Sequence, residues 1–124
     1  MTYEKLTELL ASHGVKPGIG GKGTYKRLAE NLPDEMIIEL AAEGLDENSK
    51  RKAPVIITPD TVYFARPSNI FGGLDISTAK RSDINAVDVS GMLQATLTIA
   101  TSGGRFHVIM NKKKAQEVAR ALRG

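Results

Sequence analysis

The feature that most constrains this chain is its closing segment, QATLTIATSGGRFHVIMNKKKAQEVARALRG. Ala95, Leu97 and Ile99 alternate there with Thr96, Thr98 and Ala100, and Phe106, Val108 and Met110 alternate again after Gly103-Gly104. A period of two sets each apolar series on one face of a strand, and glycine reaches the positive φ that tight hairpin turns need. The period then changes. Ala115, Val118, Ala119 and Leu122 recur at helical spacing behind Asn111, a residue type favoured at helix N-caps. A hairpin with one apolar face, followed at once by an amphipathic helix, predicts a sheet that the final helix covers, with Gly124 ending that helix.

The strand signal extends upstream to about residue 53. PVIIT stops at the turn pair Pro59-Asp60, and TVYFAR places Val62 and Phe64 on one side. Pro67, Ser68, Asn69, Gly72 and Gly73 form the next connection, after which LDISTA offers Leu74 and Ile76, and AVDVS offers Val87 and Val89. The segment before these, MIIELAAEG, supports two readings. Pro33-Asp34-Glu35 opens a helix well, yet Met36, Ile38, Leu40 and Ala42 alternate as in a half-buried strand. At the N-terminus a helix is expected over 2–12, capped by Thr2, with Tyr3, Leu6, Leu9 and Leu10 on one face. His13-Gly14 ends it, VKPGIGGKGT reads as a loop, and a second helix is expected from Thr24 to Leu32, stopping before Pro33.

A chain of 124 residues, 41% hydrophobic and 25% charged, is one globular domain's worth. It has no cysteine, hence no disulfide, thiolate nucleophile or Cys-ligated metal, and no apolar run of the roughly 18 residues that a membrane span needs. MTYEKLTELLASHG lacks a signal-peptide pattern, so a cytoplasmic location is expected. Charge is uneven: residues 1–49 hold 5 Lys+Arg against 9 Asp+Glu, and residues 50–124 hold 12 against 5. The basic half permits acidic partners. Single-stranded nucleic acid, however, wants stacking platforms, and aromatics make up 5% with no Trp.

Catalytic patterns are missing. GIGGKGTYK fails as a phosphate-binding loop because Gly21-Lys22 is followed by Gly23 and a helical segment precedes it. His13 and His107 have no ligand-spaced companion; His107 is expected to face solvent beside Arg105. No hydroxyl has an evident base, and Asp60, Asp75, Asp83 and Asp88 fall in turns or on polar strand faces. The reading is of a non-catalytic chain with no cofactor and no metal.

In order and spacing, PDE followed by IIELAAEGL, APVIITPDTVYFAR, RSDINAVDV, and LTIATSGGRFHVIM followed by a helix resemble a bacterial pleckstrin-homology domain of the YokE-like type, over about 35–123. The resemblance implies an α+β, mainly β fold: a seven-stranded antiparallel barrel capped by the C-terminal helix, with MIIELAAE as its first strand and short helices at the N-terminus. Residues 1–22 would then be an N-terminal helix and linker, and 23–124 the PH-like domain.

Two basic clusters are the candidate binding residues. The resemblance puts Lys50, Arg51 and Lys52 in the loop between the first two strands, where eukaryotic relatives grip phosphoinositide headgroups; here Ala53-Pro54-Val55 follow, with no basic residue. Lys112, Lys113 and Lys114 occupy the first turn of the final helix, against its dipole, which hints at an acidic contact, with Glu39 and Glu43 as intramolecular candidates. The function expected is an interaction module that binds a protein partner or a second copy of itself, the N-terminal helix docking on the barrel or on a neighbour. The alternative is peripheral binding to anionic lipid headgroups through the two clusters.

Overall fold

The computed structural model describes residues 1–18, 21–67 and 73–123. Helices α1 (Tyr3–Ala11) and α2 (Lys22–Glu30) precede strands β1 (Leu40–Asp46), β2 (Lys52–Ile57), β3 (Thr61–Pro67) and β4 (Leu74–Lys80). A 3-10 turn over Arg81–Asp83 leads to β5 (Ile84–Gly91), β6 (Gln94–Thr101) and β7 (Gly104–Asn111), and helix α3 (Lys112–Arg123) follows. The fold is α+β.

All seven strands join one antiparallel sheet in the order β4-β3-β2-β1-β7-β6-β5, open at β4 and β5. Its seam is narrow: β1 meets β7 through Leu45↔Ile109 and Asp46↔Val108, whereas β6 and β7 pair along their whole length. Gly44 lies at the seam, where an added Cβ would stand 2.3 Å from Val108 Cγ2 and 2.7 Å from the Ile109 carbonyl oxygen. Only glycine admits so close an approach of two strands.

From the seam the sheet's inner face gathers one core. Ala42, Val55, Ile57, Val62 and Phe64 come from the first three strands, and Val87, Leu97, Ile99, Val108 and Met110 from the last three. Ala115, Val118 and Ala119 of α3 are buried in the same cluster, so the helix covers the inner face as its apolar stripe predicts. Phe64 and Phe106 stack across the interior with centroids 4.0 Å apart and rings 5° from parallel. Asn111 caps α3 by accepting from the Lys113 N–H at 2.9 Å.

The outer face is not left to solvent. Leu6 and Leu10 of α1 and Tyr25, Leu28 and Ala29 of α2 cover Ala41, Ile56 and Ala65, forming a second core. The apolar face of α1 is therefore docked on its own chain. Thr2 caps α1 as expected, accepting from the Lys5 N–H at 3.1 Å.

Several boundaries differ from the sequence reading. Helix α2 begins two residues before Thr24: Gly21 is its N-cap, and the Gly21 carbonyl accepts from the Tyr25 N–H at 3.0 Å. This places Tyr25 on the buried face. The ambiguous segment is a strand only from Leu40, with Met36 and Ile38 extended alongside the outer core. The alternation breaks at Glu39, because Leu40 and Ala42 turn inward while Met36 and Ile38 pack outward. Strand β2 starts at Lys52, earlier than PVIIT, and the closing hairpin turns at Ser102-Gly103. Part of the expected connection at 67–73, the Ile19-Gly20 portion of the glycine-rich loop and the terminal Gly124 lie outside the described residues.

Candidate functional site

The first basic cluster forms the β1–β2 turn. Asp46, buried at the end of β1, accepts from the Ser49 N–H and hydroxyl, both at 2.9 Å, and its carbonyl accepts from the Lys50 N–H at 2.9 Å. The turn closes with Lys50 at φ 60°, an uncommon conformation for a residue with a side chain. The three basic side chains diverge. Lys50 Nζ folds back to the Glu47 carbonyl at 2.8 Å, Arg51 is exposed, and Lys52 Nζ pairs with Glu43 Oε1 at 2.7 Å. The turn is not a convergent anion cradle.

Lys52 belongs to a different construction. Glu43 on β1 also accepts from the Tyr25 hydroxyl at 2.5 Å, so α2, β1 and β2 meet at one carboxylate. Burial, the hydrogen bond to Glu43 and the nearby carboxylate charge together push the Tyr25 phenol well above its usual range. Tyr25 stays a donor.

The second cluster stands apart. Lys114 pairs with Glu117 at 3.5 Å, one turn along α3, while Lys112 and Lys113 have no ion-pair partner among the described residues. Glu39, an expected acidic contact for this cluster, instead binds Arg81 at 2.5 Å, and Glu43 is held by Tyr25 and Lys52. The Lys112 N–H donates to the Leu93 carbonyl at 3.0 Å, tying the helix start to the β5–β6 hairpin. Met92 and Leu93 at that tip are 85% and 86% exposed.

A further concavity lies elsewhere. A cleft of about 790 Å³ runs between the segment after α2 and the β2–β3 turn, lined by Pro33, Met36, Ile37, Pro59 and Tyr63 together with Lys5, Glu35, Thr58 and Asp60. Ile37 projects there, 73% exposed.

No known family model matches the chain, and no curated protein matches it significantly. Its residues have to speak for it. Among the described residues no helix is long and apolar enough to cross a membrane, and no three His, Cys, Asp or Glu side chains are grouped to hold a metal ion. His107 is exposed on β7, its Nδ1 3.0 Å from the Thr98 hydroxyl.

The sequence reading singled out six cations and missed the apolar features beside them. Ile37 lay inside the ambiguous MIIELAAEG segment, and Met92-Leu93, between AVDVS and QATLTIAT, drew no reading. One signal was available: a turn ordinarily made of polar and small residues here carries two large aliphatic ones.

Proposed function

We propose that the chain is a cytoplasmic, non-catalytic interaction module with a pleckstrin-homology-like barrel of the bacterial YokE-like kind, and that it binds a protein partner at the Ile37 cleft. The strand order, the helix laid on the inner face and the narrow β1–β7 seam support the barrel. The observation that carries the binding reading is the cleft itself, in whose mixed lining the aliphatic Ile37 is 73% exposed beside Pro33, Met36, Pro59 and Tyr63. Glu35 and Asp60 against Lys5 give its lining an acidic balance, which suits an apolar segment with a basic flank.

The test is a photo-crosslinking side chain placed at Ile37 in the full chain, in host cells, with the same group at exposed Arg105 as control. A defined adduct at Ile37 and none at Arg105 supports the reading, and its mass distinguishes a second copy from another protein. Identical adducts from both positions, or none from either, overturn it.

A further inference from the structure

We propose that the Met92-Leu93 hairpin tip, together with Lys112 and Lys113, is a docking element for an anionic lipid bilayer. Exposed single aliphatics are ordinary, and so are surface lysines. Here a backbone hydrogen bond joins the two. Gly91 turns the hairpin at φ +127°, and an added Cβ there would stand 2.5 Å from the Gln94 carbonyl oxygen, so the tip's shape depends on glycine. Gln94 pairs with Asn111, and the Leu93 carbonyl accepts from the Lys112 N–H. The aliphatic pair and the start of α3 thus form one rigid end of the molecule.

The charges at this end favour the same partner. Lys112 and Lys113 have no ion-pair partner among the described residues, and only Lys114 is answered, by Glu117. The neighbouring groove adds Lys16 and Lys114 against a single acid, Glu43, which Lys52 and Tyr25 hold. Asp88 on β5 lines a different groove with Arg120 and Arg123. Lysines in the first turn oppose the helix dipole, so they gain most from an external anionic surface.

A bilayer satisfies both halves of the element. Aliphatic side chains enter the boundary between headgroups and acyl chains, while lysines stay among anionic headgroups. A nucleic acid would answer the lysines but offers no seat to Met92 and Leu93, and the tip has no aromatic ring for stacking. An acidic protein surface is the competing occupant.

The orientation that follows leaves the cleft clear. Arg81 ties the cleft's Thr58-Pro59 corner to Ala121 near the C-terminal end of α3, whereas Leu93 is tied to Lys112 at the N-terminal end. Nine residues of helical rise, about 14 Å, separate Lys112 from Ala121. A domain resting on its hairpin tip holds the cleft away from the membrane. The inference does not depend on what the cleft binds.

The experiment is flotation of the full chain with phosphatidylcholine vesicles, with and without phosphatidylglycerol. Binding is expected only with the anionic lipid, weakening with salt. Lys112→Gln with Lys113→Gln should reduce partitioning by about fivefold per lysine. Met92→Gln with Leu93→Gln should reduce it by about tenfold. Met92, Leu93 and Lys113 are exposed and Lys112 is half-buried, and unchanged thermal unfolding confirms that the variants fold. The chain has no tryptophan, so Leu93→Trp gives a unique reporter, whose emission should shift to the blue with anionic vesicles and stay put with neutral ones. Equal, negligible flotation with both lipids overturns the proposal. So does anionic binding that leaves Leu93→Trp emission unshifted, or capture by soluble polyglutamate or duplex DNA without vesicle binding.

Discussion

Tyr25 donates its phenolic hydrogen to Glu43 across 2.5 Å, and through that carboxylate helix α2 is locked to the outer face of the sheet. The partners are 18 residues apart in sequence. Lys52 completes the arrangement from the neighbouring strand, so the ring, the carboxylate and the ammonium form a chain of charge-assisted contacts at the rim of the second core.

Tyr25→Phe removes one donor and keeps the ring in place. At neutral pH it should cost about 1.5 kcal/mol, the lower end for a hydrogen bond to a charged group, because Lys52 still pairs with Glu43. The alkaline behaviour is more specific. An exposed tyrosine titrates near 10.0, whereas Tyr25 in the folded chain holds its proton well above that. Below pH 10 both states carry the proton and the contribution is present in full. As pH rises past 10 the unfolded chain gives its proton up first, and stability falls by at most about 1.4 kcal/mol per pH unit. Urea unfolding from pH 8 to 11 should therefore show a steeper alkaline loss in the wild type than in Tyr25→Phe. Parallel curves would mean the phenol is not protected.

At the sheet's seam the expected effect is steric. Gly44→Ala places a methyl group 2.3 Å from Val108 Cγ2 and 2.7 Å from a backbone oxygen that cannot swing aside. Forced overpacking of this kind costs about 1–3 kcal/mol. Gly23→Ala is the counterpart, since it lies within α2 with nothing within 4 Å of the added carbon. It should stabilise by roughly 0.5–1 kcal/mol through helix propensity. Opposite shifts of the urea midpoint are the expected result, and a neutral Gly44→Ala would show that β1 and β7 separate easily.

Much of the inner core was legible because it obeys a simple period. Ala95, Leu97, Ile99, Val108 and Met110 alternate with polar or only partly buried neighbours, and α3 repeats every three to four residues. The outer core was harder to see. Tyr63 and Ala65 sit where a two-faced strand would show its solvent side, and only the helices above them make that side dry. One trace existed: Ala53 to Ile57 is an unbroken apolar run, the pattern of a strand covered on both faces. The Tyr25–Glu43–Lys52 contact had no local signature. Nor did the separate fates of Lys52 and Lys112, which look alike in sequence and differ because one lies beside Glu43 and the other has no ion-pair partner among the described residues.

The second core makes α1 an integral support of the sheet. Leu10 is fully buried, so Leu10→Ala should destabilise the whole chain by about 2–5 kcal/mol. Leu9, on the same helix but only half-buried, should cost clearly less as Leu9→Ala. The discriminating measurement is amide exchange at Ile56, on the strand beneath. Faster exchange there in Leu10→Ala is expected if helix and strand unfold together, and unchanged exchange would make α1 an independent arm.

Arg81 offers the sharpest separation of charge from geometry. Its guanidinium reaches Glu39 at 2.5 Å, the Thr58 and Pro59 carbonyls at 3.2 and 3.4 Å, and the Ala121 carbonyl at 2.7 Å near the end of α3. The Ala121 oxygen is among those a helix C-terminus leaves without an internal donor. Glu39 is 44% exposed, so its ion pair is screened and Glu39→Gln should cost under about 1 kcal/mol. The carbonyl contacts depend on a planar fork, which lysine lacks. Arg81→Lys keeps the charge and should still cost about 1.5–3 kcal/mol, with faster amide exchange in the last turn of α3. If Glu39→Gln proved as damaging as Arg81→Lys, the ion pair and not the fork would be what joins α3 to the β2–β3 turn.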